Sequence, residues 1–363
     1  MTQNGKFQRL ACIDVLRGFD MFFLVGAGDI LRNFFGAFHS DALNPVLYQL
    51  DHHWTGFTAW DIIMPLFLFT SGLSMPFSFS KYLGTGHTKA QLYGKIIKRF
   101  VILFVLGWIA QGNLLDLNIN TFHIYCNTLH SIAFGYLITS LIVLNISKLK
   151  PQLVIAASLV VVYWLLLHFA GGGDFSKEGN FAMRVDKLLL GRFIDGTHQY
   201  TWTLSSLGFG ATVIAGYFAG HILKQGFSAG KTLKALSIIG ISLVAGGLLL
   251  SLQSPMIKPI WSPSMILLSG GICYLLLALS YLITDKWQFN GWWVTGLQIF
   301  GLNSIVAYMF HSAIPLRGIA RTLLHGFEQF TGDFYPTVVV TGEFALLFLI
   351  LWHLYRQKIF IKV

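Results

Sequence analysis

Two adjacent histidines carry the most chemistry in this chain. The stretch Leu50-Asp-His-His-Trp-Thr-Gly-Phe-Thr-Ala-Trp-Asp61 places His52 and His53 beside Asp51, with Asp61 one to two turns into the apolar segment that follows. An imidazole changes charge near neutral pH, so it can act as nucleophile or general base, and a neighbouring carboxylate can fix its tautomer. The plainer reading is interfacial: a tryptophan such as Trp54 is common where a span meets water. A metal site fits less well, because the histidines are adjacent rather than at i, i+4 and no further ligand cluster accompanies them.

A second charged group lies earlier, in Ile13-Asp-Val-Leu-Arg-Gly-Phe-Asp20. Asp14, Arg17 and Asp20 recur every three residues and share one helix face. Ionisable groups at membrane depth are costly and face a partner or a water-filled cavity. Either the three satisfy one another and lock the first helix in place, or Arg17 lines an entrance for an anionic ligand, helped by Lys95, Lys98 and Arg99. A basic run beside a span also sets topology and contacts lipid. Further polar groups are Asn127 and His130 in Tyr125-Cys-Asn-Thr-Leu-His130, Asn303 and His311 in the ninth apolar stretch, and Thr203-Leu-Ser-Ser206. Asn, Ser and Thr in a bundle often serve as interhelical glue.

The elements that must position these residues follow from composition. Of 363 residues 55% are hydrophobic and 11% charged, with a mean hydropathy of +0.64. That charged share is less than half of the roughly 25% usual in soluble domains, which excludes a soluble globular protein. Apolar runs of about 20 residues predict a polytopic all-α membrane bundle. Ten spans are expected, near 12–36, 57–80, 99–112, 123–146, 152–170, 202–223, 233–251, 262–283, 293–312 and 334–355, within one domain over 1–363. Cys12, Cys126 and Cys273 fall in apolar stretches without CxxC spacing and are expected to be packing residues. No cleavable signal peptide is expected, since the first apolar segment carries Asp14, Arg17 and Asp20.

The net charge of +10 is read by position rather than as a nucleic-acid footprint. With a cytoplasmic amino terminus, sixteen Lys and Arg fall in inner segments and seven in outer ones. The positive-inside rule then puts both termini in the cytoplasm, and His52 and His53 on the outer side. Long outer segments at 37–56, 171–201 and 313–333 are of the kind that covers or lines a site. The last includes a stretch from Ile314 to Phe327 with the character of an interfacial amphipathic helix.

The chain resembles the transmembrane acyltransferase family of heparan-alpha-glucosaminide N-acetyltransferase and its bacterial relatives. The motifs that carry this run nearly end to end: DVLRGFDMF, LDHHWTGFTAWDIIMPLFLFTSGLSM, CNTLHSIAFGYL, TWTLSSLGFGATVIAGYFAG and GLNSIVAYMF. The resemblance implies transfer of acetyl from cytoplasmic acetyl-CoA to an amino sugar or related glycan on the far side of a bacterial inner membrane, and it suggests a homodimer. The family's active histidine lies just before a Trp-x-Gly element, here Trp54-Thr-Gly56. His52 is the better match and His53 the alternative. The sequence departs from the family pattern in a His–Trp spacing one residue shorter, in Gly26-Ala-Gly28 where some relatives carry an asparagine, and in His130 where a glutamine is more usual.

Residue roles follow from this as expectations. His52 or His53 would take the acetyl group or deprotonate the acceptor, oriented by Asp61 or Asp51. Arg17, Asp20, Lys95, Lys98 and Arg99 would line the acetyl-CoA path, with Asn303 near the acyl carbonyl. Asp51, Trp54, Asn127 and His130 would face the acceptor. No metal is expected. The rival class is a secondary transporter for a sugar or cell-wall fragment, whose usual sequence pointer is a matched pair of Gly/Pro-broken helices. A non-catalytic relative that keeps the fold is the third reading.

Overall fold

The computed structural model describes residues 10–195, 200–289 and 291–361. Lys6, Arg9 and Lys362, three of the sixteen basic residues assigned to inner segments, lie outside them. Among the described residues the regular structure is helical, joined by irregular loops, with no strand and one isolated bridge between Tyr125 and Ile194. The expected all-α architecture is the one observed.

Among the described residues, seven helical stretches are long and apolar enough to cross a membrane: Ala59–Gly84, Thr128–Asn145, Leu149–Ala170, Ser206–Lys224, Ala229–Leu250, Pro263–Lys286 and His325–Arg356. An eighth is the pair Trp292–Leu302 and Ser304–Ala313, bent by 71° at Asn303. The chain is a multi-pass membrane protein. Two further spans predicted from sequence form helices but carry too much charge to count on composition. One holds Asp14, Arg17, Asp20, Asp29 and Arg32, and the other, Lys89–Ala110, holds Lys95, Lys98 and Arg99.

Two compact units make up the described chain. One consists of Trp54–Phe57 and Met64–Leu282, the other of Leu10–His53, Thr58–Ile63 and Ile283–Val363.

In the first unit, glycines let helix backbones touch. A Cβ on Gly72 would stand 1.8 Å from the Val213 carbonyl oxygen, and one on Gly216 would stand 2.0 Å from that of Phe69. Gly271 meets the Gly240 carbonyl in the same way, at 2.6 Å. Small residues at such crossings are expected where lipid gives helices no hydrophobic reason to associate and close packing must do so. Buried Asp186 accepts the N–H groups of Trp202 at 2.7 Å and Thr203 at 2.9 Å, pinning the polar segment that precedes Ser206–Lys224. Burial holds its carboxyl above the usual carboxylate range, against the pull of those hydrogen bonds. The three cysteines are buried.

The second unit is built on the first helix, Ala11–Phe22. Its amino end is capped by Asp285, whose Oδ2 accepts from the Cys12 N–H at 2.9 Å and the Thr284 hydroxyl at 2.7 Å, placing a carboxylate at the positive end of the helix dipole. The helix crosses Trp292–Leu302 through reciprocal glycines. A Cβ on Gly18 would lie 1.8 Å from the Leu297 carbonyl oxygen, and one on Gly301 would lie 2.0 Å from that of Asp14. Beyond Phe22 the chain widens into a π-turn, Phe23–Ala27, before the helix Gly28–Gly36. The rings of Phe22, Phe300 and Phe344 meet beside this turn, with centroids 5.4 to 6.0 Å apart.

Candidate active site

The segment between Gly36 and the next span carries the histidines. Thr58 has extended backbone (φ −111°, ψ 163°) and begins the short helical turn Ala59–Ile62. Its N–H donates to Asp61 Oδ2 at 2.9 Å, so Asp61 reaches back to satisfy a donor that a helix start leaves open. The Thr58 hydroxyl stands 3.0 Å from the same oxygen and 2.9 Å from the Asp51 carbonyl, and its one proton serves one of them at a time. This arrangement turns the other oxygen, Asp61 Oδ1, toward His52 Nδ1 at 2.8 Å. The carboxylate is 2% exposed and the imidazole 43% exposed.

That geometry determines what His52 can do. A carboxylate accepts only, so it favours the tautomer with the proton on Nδ1, which gives Nε2 the lone pair. Buried, doubly held Asp61 also stabilises the imidazolium that forms when Nε2 takes a proton. Asp51 is placed differently: its Oδ1 accepts the His52 backbone N–H at 2.8 Å and shapes the turn. His53 stacks on Tyr48 with ring centroids 3.9 Å apart, and its Nε2 is 3.3 Å from the Tyr48 carbonyl. Trp54 belongs to the first unit, where its indole N–H donates to the Phe175 carbonyl at 3.1 Å and Lys177 lies over its ring. Gly56 takes a φ of 105°, which a side chain would strain, and its N–H donates to the Met256 carbonyl at 2.9 Å.

The remaining expected residues divide between the units. Asp14 and Asp20 are buried and Arg17 is half-buried on the first helix. Lys95, Lys98 and Arg99 lie in the first unit at i, i+3 and i+4, with Lys95 over the Tyr82 ring and Arg99 over the Tyr136 ring. Asn127 caps its helix through the Leu129 N–H at 2.8 Å and donates to Gln111 at 3.1 Å. Both nitrogens of His130 are engaged, Nε2 with the Phe104 carbonyl at 2.9 Å and Nδ1 with the Cys126 N–H at 3.3 Å, and the ring is fully buried against Phe104. Asn303 sits at the helix bend. Its amide donates to the Ile359 carbonyl and accepts the Ile361 N–H, both at 3.0 Å, so the carboxy-terminal segment fills the break.

Sequence reasoning missed a network in the second unit. Arg32 donates to the carbonyl of Leu50, two residues before His52, and pairs with Asp29 Oδ1 at 3.2 Å while lying over the Trp60 ring. The other Asp29 oxygen takes Arg317 Nη2 at 2.6 Å, and Arg317 Nε donates to Glu343 Oε2 at 2.6 Å. Burial works against the Arg317 charge, but the bonds to Glu343 and Asp29 outweigh it and hold the guanidinium more firmly protonated than an ordinary arginine. The readable signal was Glu343, a lone carboxylate inside an apolar span, which needs a partner. Asp29, His311, Ser312, Arg317 and Glu343 line a cavity of about 500 Å³.

No protein-family profile matches the chain. Among curated proteins it is similar to the heparan-alpha-glucosaminide N-acetyltransferase of Mus musculus, 24% identical over 436 aligned positions that cover 100% of this chain and 62% of the mouse protein. It is similar also to the Homo sapiens protein of the same name, 26% identical over 385 positions, covering 85% of this chain and 55% of the human protein. The chain thus spans about three-fifths of the length of the curated relatives it matches. These similarities support the relationship that the sequence motifs suggest.

Proposed function

We propose that the chain is a membrane acetyltransferase that moves an acetyl group from cytoplasmic acetyl-CoA to an amino sugar or related glycan on the extracytoplasmic side, with His52 as the working imidazole. One observation carries this reading: the contact between His52 and buried Asp61, which gives Nε2 the lone pair on a half-exposed ring. The similarity to the mouse and human acetyltransferases supplies the reaction class.

Residues for the donor's phosphates are available. Lys95, Lys98 and Arg99 share one helix face at the basic end of Lys89–Ala110, and the buried Nε of Arg99 has no hydrogen-bond acceptor among the described residues. A phosphate oxygen would supply one. The bound donor supplies a thioester carbonyl; the protein supplies the base. His52 Nε2 takes the acceptor's N–H proton as that nitrogen bonds to the acetyl carbon, or it takes the acetyl group first and passes it on. In either order the carbon–sulfur bond breaks, the sulfur leaves with a proton, and the imidazole returns to its starting tautomer. Both termini lie in the cytoplasm in this proposal, and a homodimer in a bacterial inner membrane follows only from the resemblance.

A transporter is the second reading, and the bend at Asn303 is the observation that favours it, since broken helices build transport sites. Among the described residues one such bent pair occurs, whereas an inverted repeat needs a matching break. Purified protein given labelled acetyl-CoA and a panel of amino sugars separates the two. Acetylated product supports the enzyme; sugar accumulation in proteoliposomes with no transfer overturns it. A cysteine at position 52 that reacts only from the cytoplasmic side would overturn the topology.

A further inference from the structure

The cavity of about 500 Å³ in the second unit has a fixed wall and an unmet demand. Its wall is the Asp29–Arg317–Glu343 chain, with both ion-pair distances at 2.6 Å. The demand is at His311. Its Nδ1 is buried, has no hydrogen-bond partner among the described residues, and stands 3.8 Å from Glu343 Oε1, too far for a direct bond. Glu343 Oε2 is already held by Arg317.

An oxygen that both donates and accepts would bridge that gap, giving its proton to Glu343 Oε1 and accepting from His311. A hydroxyl has this capacity; a phosphate or carboxylate would meet Glu343 as a like charge. The surrounding charge points the same way. Asp29 and Glu343 balance Arg317 and Arg32, so the site has no excess charge to attract an anion. No cluster of three metal-ligating side chains occurs among the described residues, and Arg317 would repel a cation.

Position ties the cavity to His52. Arg32 holds the Leu50 carbonyl with one nitrogen and Asp29 with the other, so the wall of the cavity and the histidine loop share a residue. No helix long and apolar enough to cross a membrane lies between Gly36 and Ala59, so the carboxy end of the helix Gly28–Gly36 and His52 are on one face.

We infer that this cavity is the acceptor's hydroxyl subsite, where Glu343 and His311 together grip a hydroxyl of an uncharged sugar ring and discriminate against anionic sugars. The identity of the ligand as an acceptor rests on the acetyltransferase reading; the site itself does not.

Binding of N-acetylglucosamine to the full-length purified protein, measured by calorimetry, tests the subsite without turnover, because the probe has no free amine. Saturable binding is expected, with N-acetylglucosamine 6-phosphate binding more weakly. His311→Phe, which keeps the ring and removes both nitrogens, should raise Kd about tenfold, the loss expected for one hydrogen bond in a charged setting. His311→Gln, which keeps a bonding group, should stay closer to wild type and serves if the first variant does not fold. Absence of saturable binding, tighter binding of the phosphorylated sugar, or an unchanged Kd in both variants would overturn the subsite, leaving an ordered water as the bridge. Failed acetyl transfer with intact, His311-dependent sugar binding would sink the enzyme reading and leave the subsite standing. Transfer to a hexosamine with a KM indifferent to both variants would do the reverse.

Discussion

His52 and Asp61 face each other at 2.8 Å, and the oxygen that Asp61 does not offer to His52 closes the start of its own helical turn on the Thr58 N–H. One carboxylate thus shapes the turn and sets the imidazole tautomer. A small change at either end should be felt at the other.

Asp61→Asn keeps the shape and removes the charge. With the preferred tautomer no longer enforced, kcat for acetyl transfer should fall about a hundredfold to ten-thousandfold with little change in KM. Steady-state kinetics on the folded variant checks this, and an unchanged kcat would mean that the carboxylate does not act on the imidazole.

Thr58→Val leaves the backbone cap in place and removes the hydroxyl shared between Asp51 and Asp61. A buried bond of this kind is worth about 1 kcal/mol. Thermal unfolding in detergent should show a modest loss, and kcat should fall by less than in Asp61→Asn.

The reciprocal glycines predict a sharp positional contrast. Gly18→Val and Gly301→Val each push a side chain into a backbone carbonyl of the facing helix, and should cost at least about 3 kcal/mol or prevent folding. Gly296, on the same helix as Gly301, has no neighbouring atom within 4 Å of a built Cβ, so Gly296→Ala should be neutral or slightly stabilising. Expression level and size-exclusion profile distinguish these outcomes.

Much of this architecture was legible in the sequence, for a physical reason. Apolar runs bounded by basic residues must become helices in lipid, and the motif from Leu50 to Asp61 is compact enough for its chemistry to be local. What local pattern could not decide was which carboxylate meets the imidazole. Asp51 is adjacent and Asp61 distant in sequence, yet Asp51 serves the His52 backbone while Asp61 reaches the ring. The network of Asp29, Arg317 and Glu343 was harder still, since its members are joined only by tertiary packing. Seven or eight of the ten expected spans stand out by length and apolarity alone, while 12–36 and 99–112 form helices whose charged residues mask them on composition.

Acetyl transfer by His52→Ala compared with His53→Ala separates the two adjacent imidazoles. With labelled acetyl-CoA and an amino sugar acceptor, His52→Ala should lose transfer while the purified protein keeps its wild-type melting behaviour, and His53→Ala, which removes a ring stacked on Tyr48, should stay within about tenfold of wild type, the range that loss of one aromatic contact allows. Transfer that survives His52→Ala at the wild-type rate would mean that His52 is not the working imidazole.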